Sequence, residues 1–125
     1  MDVSVLVVDD DAQFRGLAAR MLTAQHLAVV GQAGTVAEAT ELAAALRPDA
    51  VLVDIGLPDG DGLTLTRWLV ALPWRPRVVL TSSDRDATTP DGALDAGAIA
   101  FVAKDELPDS SIAKLFSDWR ESESG

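Results

Sequence analysis

Apolar residues occur in this chain both as short continuous runs and as helical repeats, and the two patterns alternate along the sequence. Five runs of four to six residues, rich in valine, leucine, isoleucine and alanine, are typical of strands buried on both faces. Between the runs, apolar residues recur three or four positions apart, which predicts amphipathic helices. The runs predict strands at residues 3–8, 27–30, 50–53, 77–81 and 99–103.

Capping residues mark where several of the predicted helices begin. Asp11 is the expected N-cap of a helix over about residues 12–24. Thr35 and Glu38 form a capping-box pattern, which opens a second helix. The remaining helices are predicted near residues 65–72, 90–97 and 112–119.

The alternation of strands and helices predicts one fold class. Continuous apolar strands separated by helices indicate a parallel sheet covered on both faces. Right-handed crossovers then give a single-domain, doubly wound (βα)5 fold of the flavodoxin-like α/β kind, with strand order 2-1-3-4-5. No repeat or linker divides the chain, so we expect one domain over residues 1–120, followed by a polar tail at 121–125.

Composition and charge exclude several classes of function. The 125 residues include no cysteine, which rules out disulfides, thiolate zinc sites and thiol catalysis. Ten basic residues against twenty acidic ones give a net charge of -10, which disfavours direct binding to nucleic acid or to an anionic membrane. No apolar run reaches the roughly 18 residues of a membrane span, and the N-terminus lacks the basic start of a signal peptide. We therefore expect a cytoplasmic protein.

Polar side chains gather at the carboxyl ends of the predicted strands, where open α/β sheets bind their ligands. These side chains are Asp9, Asp10, Asp11, Asp54, Thr81 and Lys104. Two carboxylates about 4 Å apart repel by about 4 kcal/mol at an effective dielectric constant of 20, so a cluster must protonate, hold a cation or pair with a base. Lys104 can neutralise one carboxylate, and the others suit a hard divalent cation such as Mg²⁺. An aspartate beside Mg²⁺ and lysine is a candidate acceptor of a phosphoryl group.

Five motifs at these strand ends resemble the receiver domain of bacterial two-component response regulators. They lie at residues 7–11 (VVDDD), 53–63 (VDIGLPDGDGL), 80–82 (LTS), 96–98 (AGA) and at Lys104. The resemblance implies that Asp54 accepts a phosphoryl group from the phosphohistidine of a histidine kinase or a histidine phosphotransfer protein. It also implies a signalling phospho-acceptor, not an enzyme acting on a separate substrate.

The resemblance further implies a role for each matched residue. Asp10 is the expected direct ligand of Mg²⁺ or Mn²⁺, Asp9 holds a metal-bound water, and Asp54 and the backbone carbonyl of Gly56 complete the protein ligands. Lys104 is expected to pair with the phosphoryl group. Thr81 and Phe101 are the expected switch residues. They would alter the face of helix 4, strand 5 and helix 5 for a downstream protein partner or for a homodimer.

Three positions depart from the family pattern. Asp105 follows Lys104 where the family often has proline in a cis peptide. Phe101 lacks the hydroxyl of the tyrosine that is common at its position. Residues 84–92 are rich in Asp, Thr, Pro and Gly where the family has a longer fourth helix, so we predict that helix 4 is short or mobile.

Other functions remain open from the sequence. A receiver-like interaction module that is never phosphorylated is one alternative. A phosphatase of the haloacid-dehalogenase kind, with Asp9-x-Asp11 as its nucleophile motif, needs more chain than is present. A flavodoxin lacks its phosphate-binding loop here. Three aromatic residues and the lone histidine are expected to be structural: Trp68 and Trp119 in the core, Trp74 in a partly buried loop, and His26 away from any metal.

Overall fold

The structure is a computed structural model, and it describes residues 3–116 of the chain. The elements in chain order are β1 Ser4–Val8, α1 Ala12–Ala24, β2 Ala28–Ala33, α2 Val36–Leu46, β3 Ala50–Asp54, β4 Gly56–Leu57, β5 Gly60–Asp61, α3 Gly62–Val70, β6 Arg77–Ser82, α4 Pro90–Ala96 and β7 Ala100–Ala103. A 3-10 helix, Lys104–Asp109, follows β7, and residues 112–116 are helical.

Five of these strands form one parallel sheet in the order β2-β1-β3-β6-β7. Because β4 and β5 are a separate two-residue antiparallel pair, this is the predicted order 2-1-3-4-5 of the main strands, and the predicted fold is confirmed. The register places Val8 beside Val53, Asp54 beside Thr81, and Thr81 beside Val102. The carboxyl ends of the central strands therefore meet at one edge of the sheet.

Helices cover both faces of the sheet, and alternate residues of each strand supply the two cores. In β1, Val5 and Val7 belong to the core cluster that includes Phe116 of the last helical segment. Leu6 and Val8 belong to the cluster on the opposite face, under α2 and α3. Full burial of such a side chain contributes about 1.5–3 kcal/mol, so these apolar strands account for much of the stability of the fold.

The N-caps predicted for the first two helices are confirmed, and a glycine ends α4. Asp11 accepts a hydrogen bond from the N–H of Gln13 at 3.0 Å and caps α1. Thr35 accepts one from the N–H of Glu38 at 3.0 Å and caps α2. Gly97 ends α4 with a φ of 102°, in the left-handed region that favours glycine. The helix α4 has seven residues and is short, as predicted.

Several local features differ from the sequence prediction. The edge strand β2 extends to Ala33, beyond the predicted apolar run. Its Gln32 is exposed, and a Cβ at Gly31 would lie 2.9 Å from a methyl carbon of Leu46, so packing against α2 explains the glycine. The 3-10 helix after β7 was not predicted. No peptide bond among residues 3–116 is cis, so the bond between Lys104 and Asp105 is trans.

The three tryptophans have different outcomes. Trp68 is 42% exposed, and the prediction that it lies in the core is wrong. At about 100° per residue, Trp68 lies roughly a third of a turn from the centre of the buried stripe of α3, which is made of Gly62, Leu65, Thr66 and Leu69. Trp74 is half-buried in its loop, as predicted, and its Nε1 donates to the Pro48 carbonyl at 3.1 Å. Trp119 lies outside the described residues.

One property of the helices bears on membranes. Within residues 3–116, no helix combines the length and the apolar character that a membrane crossing requires.

Candidate functional site

Three carboxylates meet at the carboxyl edge of the sheet. Asp9 follows β1, Asp10 comes next in the chain, and Asp54 ends β3, the strand beside β1. One ligand oxygen from each lies within 4.8 Å of the others. Asp9 and Asp54 are only 1% and 6% exposed, whereas Asp10 is exposed. The structure thus brings together the three acidic residues that the sequence predicted as metal ligands.

Asp9 is held in place from three sides. Its Oδ1 accepts a hydrogen bond from the N–H of Asp11 at 2.8 Å. Its backbone carbonyl accepts one from Nη1 of Arg15 at 2.6 Å. Its Oδ2 forms an ion pair with Nζ of Lys104 at 2.6 Å. Asp9 is therefore a fixed anion that orients Lys104.

Lys104 reaches into the cluster from the end of β7. Its Nζ lies 2.6 Å from Asp9, 3.5 Å from Oδ2 of Asp54 and 4.2 Å from the centroid of the Phe14 ring. The side chain is 19% exposed. Burial lowers the pKa of the Lys104 ammonium, but the hydrogen bond to Asp9 and the charges of Asp54 and Asp9 outweigh this effect and raise the pKa above its usual value. Lys104 therefore remains a cation at neutral pH.

Asp54 remains electrostatically unsatisfied despite this lysine. Its pKa is raised to about 6, first by burial and then by the charge of Asp9, although Lys104 and the N–H of Gly56 lower it. The Gly56 N–H donates to Oδ1 of Asp54 at 3.3 Å. Among the described residues, Asp9 and Asp54 thus share the Lys104 ammonium, and Asp10 adds a third, exposed carboxylate beside them. The residues fit a hard divalent cation, which prefers carboxylate oxygens and would relieve the remaining repulsion.

Thr81 lies next to Asp54, the candidate phosphoryl acceptor, but its hydroxyl donates its hydrogen bond to the neighbouring strand β7. Thr81 is 1% exposed and pairs with Asp54 across β3 and β6. Its Oγ1 donates to the Val102 carbonyl of β7 at 2.6 Å. Phe101, the residue before Val102, is half-buried and packs against the core cluster under α3. The predicted switch residues are therefore linked through the backbone of β7.

Gly62 is a positioning residue that the sequence prediction missed. A Cβ at Gly62 would lie 2.4 Å from the carbonyl oxygen of Asp54 and 2.7 Å from the Cα of Ile55. Its N–H donates to the Ile55 carbonyl at 2.8 Å. The first turn of α3 therefore packs directly against the backbone of the acceptor candidate. The sequence signal was a glycine at the first position of the helix, directly after the N-cap Asp61, because a glycine there allows two backbones to approach closely.

Two longer-range contacts brace the loops around the site. Asp59 accepts hydrogen bonds from the N–H groups of Val36 and Ala37 at 2.7 and 3.1 Å, which ties the loop after β3 to the start of α2. Arg85, in the loop after β6, pairs with Asp105 at 2.6 Å and Glu106 at 2.8 Å, just beyond Lys104. These contacts join distant parts of the sequence, and no local motif predicts them.

Comparisons with known proteins agree with this geometry. A family model described as response regulator receiver domain matches residues 5–116. The DNA-binding transcriptional activator DevR/DosR of Mycobacterium tuberculosis (strain ATCC 25618 / H37Rv) is 42% identical over 118 residues, which cover 93% of this chain and 54% of that protein. Protein-glutamate methylesterase/protein-glutamine glutaminase 3 of Anaeromyxobacter dehalogenans (strain 2CP-C) is 41% identical over 110 residues, covering 86% of this chain and 32% of that protein.

A solved structure is similar over nearly its whole length. The BeF3-activated N-terminal receiver domain of Klebsiella pneumoniae RstA is 32% identical with a TM-score of 0.77, covering 90% of this chain and 94% of that one. By contrast, the chain spans only 54% and 32% of the two curated relatives, whose names describe different activities. The shared part is the receiver, and the predicted resemblance is confirmed. This chain belongs to the receiver domain family of two-component response regulators.

Proposed function

We propose that this receiver takes a phosphoryl group onto Asp54 from the phosphohistidine of a histidine kinase or a histidine phosphotransfer protein. The observation that supports it best is the meeting of Asp9, Asp10 and Asp54 with Lys104 at one sheet edge. Asp54 is buried at a strand end, and its ion pair with Lys104, at 3.5 Å, is longer than the 2.6 Å pair that Asp9 forms. A raised pKa of about 6 leaves it mostly ionised at neutral pH, as a nucleophile requires.

The group transfer balances as a simple displacement at phosphorus. An Asp54 carboxylate oxygen forms the new P–O bond while the P–N bond to the donor imidazole breaks, and the imidazole nitrogen retains the electron pair. Lys104 lies 3.5 Å from Oδ2 of Asp54 and is close enough to pair with the transferred group. The charge on that group is thereby offset where it develops.

Mg²⁺ or Mn²⁺ is the proposed cofactor. Asp10 would bind it directly, Asp9 through a water, and Asp54 and the backbone carbonyl of Gly56 would supply further oxygens. When bound, the cation supplies positive charge that neutralises the phosphoryl oxygens. The exposure of Asp10 beside two buried carboxylates supports a cation that enters from solvent.

The proposed output is a change in the face made by α4, β7 and the last helix. Thr81 would transfer its hydrogen bond from the Val102 carbonyl to a phosphoryl oxygen on Asp54, and Phe101, next to Val102, would respond. A downstream protein partner or a second copy of the chain would read this face. We propose this signalling role, in the cytoplasm, for a domain over residues 1–120 followed by a polar tail at 121–125.

The contacts of Asp9 argue against the phosphatase alternative. Both of its carboxylate oxygens are engaged, one by the Asp11 N–H and one by Lys104. Asp11 itself caps α1 through the N–H of Gln13. These contacts, at 2.6 to 3.0 Å, are shorter than the 3.3 and 3.5 Å contacts of Asp54, which favours Asp54 as the nucleophile.

The test is adduct formation with a small phosphodonor. Incubated with acetyl phosphate and Mg²⁺, the protein is expected to gain the mass of one phosphoryl group. When the metal is chelated before acetyl phosphate is added, no gain in mass is expected. The Asp54→Asn variant should gain none. The control is Asp95→Asn, which removes one charge from an exposed position of α4 and should behave like the wild type. Absence of any adduct in the wild type would favour the unphosphorylated interaction module.

A further inference from the structure

We propose that Phe14 is a positioning residue for Lys104, holding the ammonium at the acceptor site through the face of its ring. This inference rests on the proposed phosphorylation of Asp54. The Nζ of Lys104 lies 4.2 Å from the centroid of the Phe14 ring, well within the roughly 6 Å range of cation–π attraction. Neither composition nor motif had singled out Phe14.

The ring differs in kind from the other contacts of this ammonium. Among the described residues, Lys104 also contacts Asp9 and Asp54, both of which belong to the acidic cluster that suits a divalent cation. A cation in that cluster draws on the same carboxylates and repels the ammonium. The Phe14 ring does not compete for the cation in this way. It is therefore the contact that keeps Lys104 at the site when the carboxylates are shared.

Both partners are carried by ordered elements. Phe14 is the third residue of α1 after its cap Asp11, and it packs against the core cluster beneath α1. Lys104 opens the 3-10 helix, which is anchored by Leu107, a residue only 2% exposed. The lysine side chain itself is 19% exposed, so water is partly excluded and the cation–π attraction is stronger than on an open surface.

The geometry also explains why a ring suits this task. The attraction of a cation to a ring face extends to about 6 Å from the centroid, whereas a hydrogen bond weakens steeply once it is misaligned. The ammonium can thus shift from Asp9 toward a phosphoryl oxygen on Asp54 without leaving Phe14. A leucine of similar volume would fill the space but would not attract the charge.

A fluorinated phenylalanine series at position 14 tests this role. Mono-, di- and trifluorination weaken the negative ring face stepwise and change its shape little. The rate of Asp54 phosphorylation by acetyl phosphate should fall along the series, by about three- to tenfold in total. Phe14→Tyr should retain most of the phosphorylation rate, whereas Phe14→Leu should show at least the full decrease of the fluorinated series. Both rates are compared at equal folded fraction. Phe14 also lines an apolar groove with Leu17 and Leu107. Acetyl phosphate is used instead of a protein donor, so that a change in the rate cannot come from a protein contact with that groove.

Leu17→Ala is the matched control. Leu17 lines the same groove, is 55% exposed and has no ring face to attract the ammonium, so the rate should not change. A second readout is the ring-current shift of the Lys104 ε-methylene protons, which should be upfield in the wild type and normal in Phe14→Leu. A flat rate across the fluorinated series in a protein that does form the adduct overturns the positioning role alone. A wild type that forms no adduct but shows the ring-current shift overturns the proposed function, and the positioning role with it.

Discussion

The hydroxyl of Thr81 donates a 2.6 Å hydrogen bond to the backbone carbonyl of Val102, beside the acceptor candidate Asp54. Thr81 thereby touches the strand that carries Asp54 and the strand that carries Phe101. A hydroxyl has one proton to donate, so a bond to a phosphoryl oxygen would require the bond to Val102 to break. This exclusive choice is the physical basis of the proposed switch.

Replacing Thr81 with valine should separate phosphorylation from its structural response. Thr81→Val keeps the shape but removes the donor, so Asp54 should still form the adduct with acetyl phosphate. The NMR shift changes that phosphorylation causes around Phe101 should largely disappear. Stability should fall by about 1 kcal/mol, because the Val102 carbonyl loses a partner.

Thr66→Val is the matched control for this variant. Thr66 is also fully buried and its hydroxyl donates to a backbone carbonyl, that of Gly62, at 2.7 Å. It should lose a similar amount of stability and keep the full response at Phe101. An equal loss of response in both variants would mean that the Thr81 hydroxyl has no special part in the switch.

The raised pKa of Asp54 predicts how stability depends on pH without metal. Between the ordinary carboxyl pKa near 4 and the raised value of about 6, the folded protein binds more protons than the unfolded chain. The contribution of Asp54 to the unfolding free energy is therefore most favourable below about pH 4 and is lost as pH rises to about 6. In chelator, Asp54→Asn should be more stable than the wild type at neutral pH, on the order of 1–2 kcal/mol.

Urea unfolding of both proteins from pH 4.5 to 7.5 measures this difference. The gap between Asp54→Asn and the wild type should widen with pH and then level off. The Asp95→Asn control, with the same change in net charge, should show a small and nearly constant gap. A gap that narrows as pH rises would have the wrong sign for a buried carboxylate and would refute the electrostatic account of the site.

Asp10 and Asp9 should differ in what their substitution costs. Asp10 is exposed and Asp9 is 1% exposed and ion-paired with Lys104. Asp10→Asn should weaken Mg²⁺ binding by about tenfold or more while changing stability by less than about 0.5 kcal/mol. Asp9→Asn should change both. Calorimetric Mg²⁺ titration with unfolding in chelator separates the two quantities, and undiminished affinity in Asp10→Asn would remove it from the ligand set.

Gly62→Ala should damage the site through the backbone. The added methyl group would lie 2.4 Å from the Asp54 carbonyl oxygen, which cannot move freely because it belongs to β3. We expect a loss of about 2–4 kcal/mol and slower phosphorylation of the folded fraction. At Gly16 of α1 a Cβ meets nothing within 4 Å, so Gly16→Ala should instead raise stability by about 0.5–1 kcal/mol. Thermal unfolding of both variants gives the comparison, and a neutral Gly62→Ala would contradict the close packing of α3 on the site.

The sheet and the acidic cluster were predictable because local patterns encode them. Continuous apolar strands can be buried only in a sheet covered on both faces, and parallel strands deliver their last residues to one edge. Asp9, Asp54, Thr81 and Lys104 were therefore grouped correctly from their places in the chain. Their chemical roles are a separate matter, which geometry supports and phosphorylation experiments decide.

The remaining features depend on contacts that no local pattern contains. The Phe14 ring meets Lys104, which lies ninety positions later in the chain, and the hydrogen bond from the Val36 N–H to Asp59 joins residues 23 apart. Trp68 has the spacing of a core residue, but the buried stripe of α3 is centred about a third of a turn away, so Trp68 is exposed. Periodicity indicates which residues share a helix face, and only the packing decides where the centre of that face lies.

The most direct measurement of the central claim is chemical mapping of the phosphorylated residue. Treatment with acetyl phosphate and Mg²⁺, followed by borohydride reduction, converts a phosphoaspartate to homoserine, which peptide mass spectrometry locates. We predict homoserine at position 54, dependent on the metal and absent from Asp54→Asn. Homoserine at position 9, or none anywhere in a folded protein that binds Mg²⁺, would contradict the account.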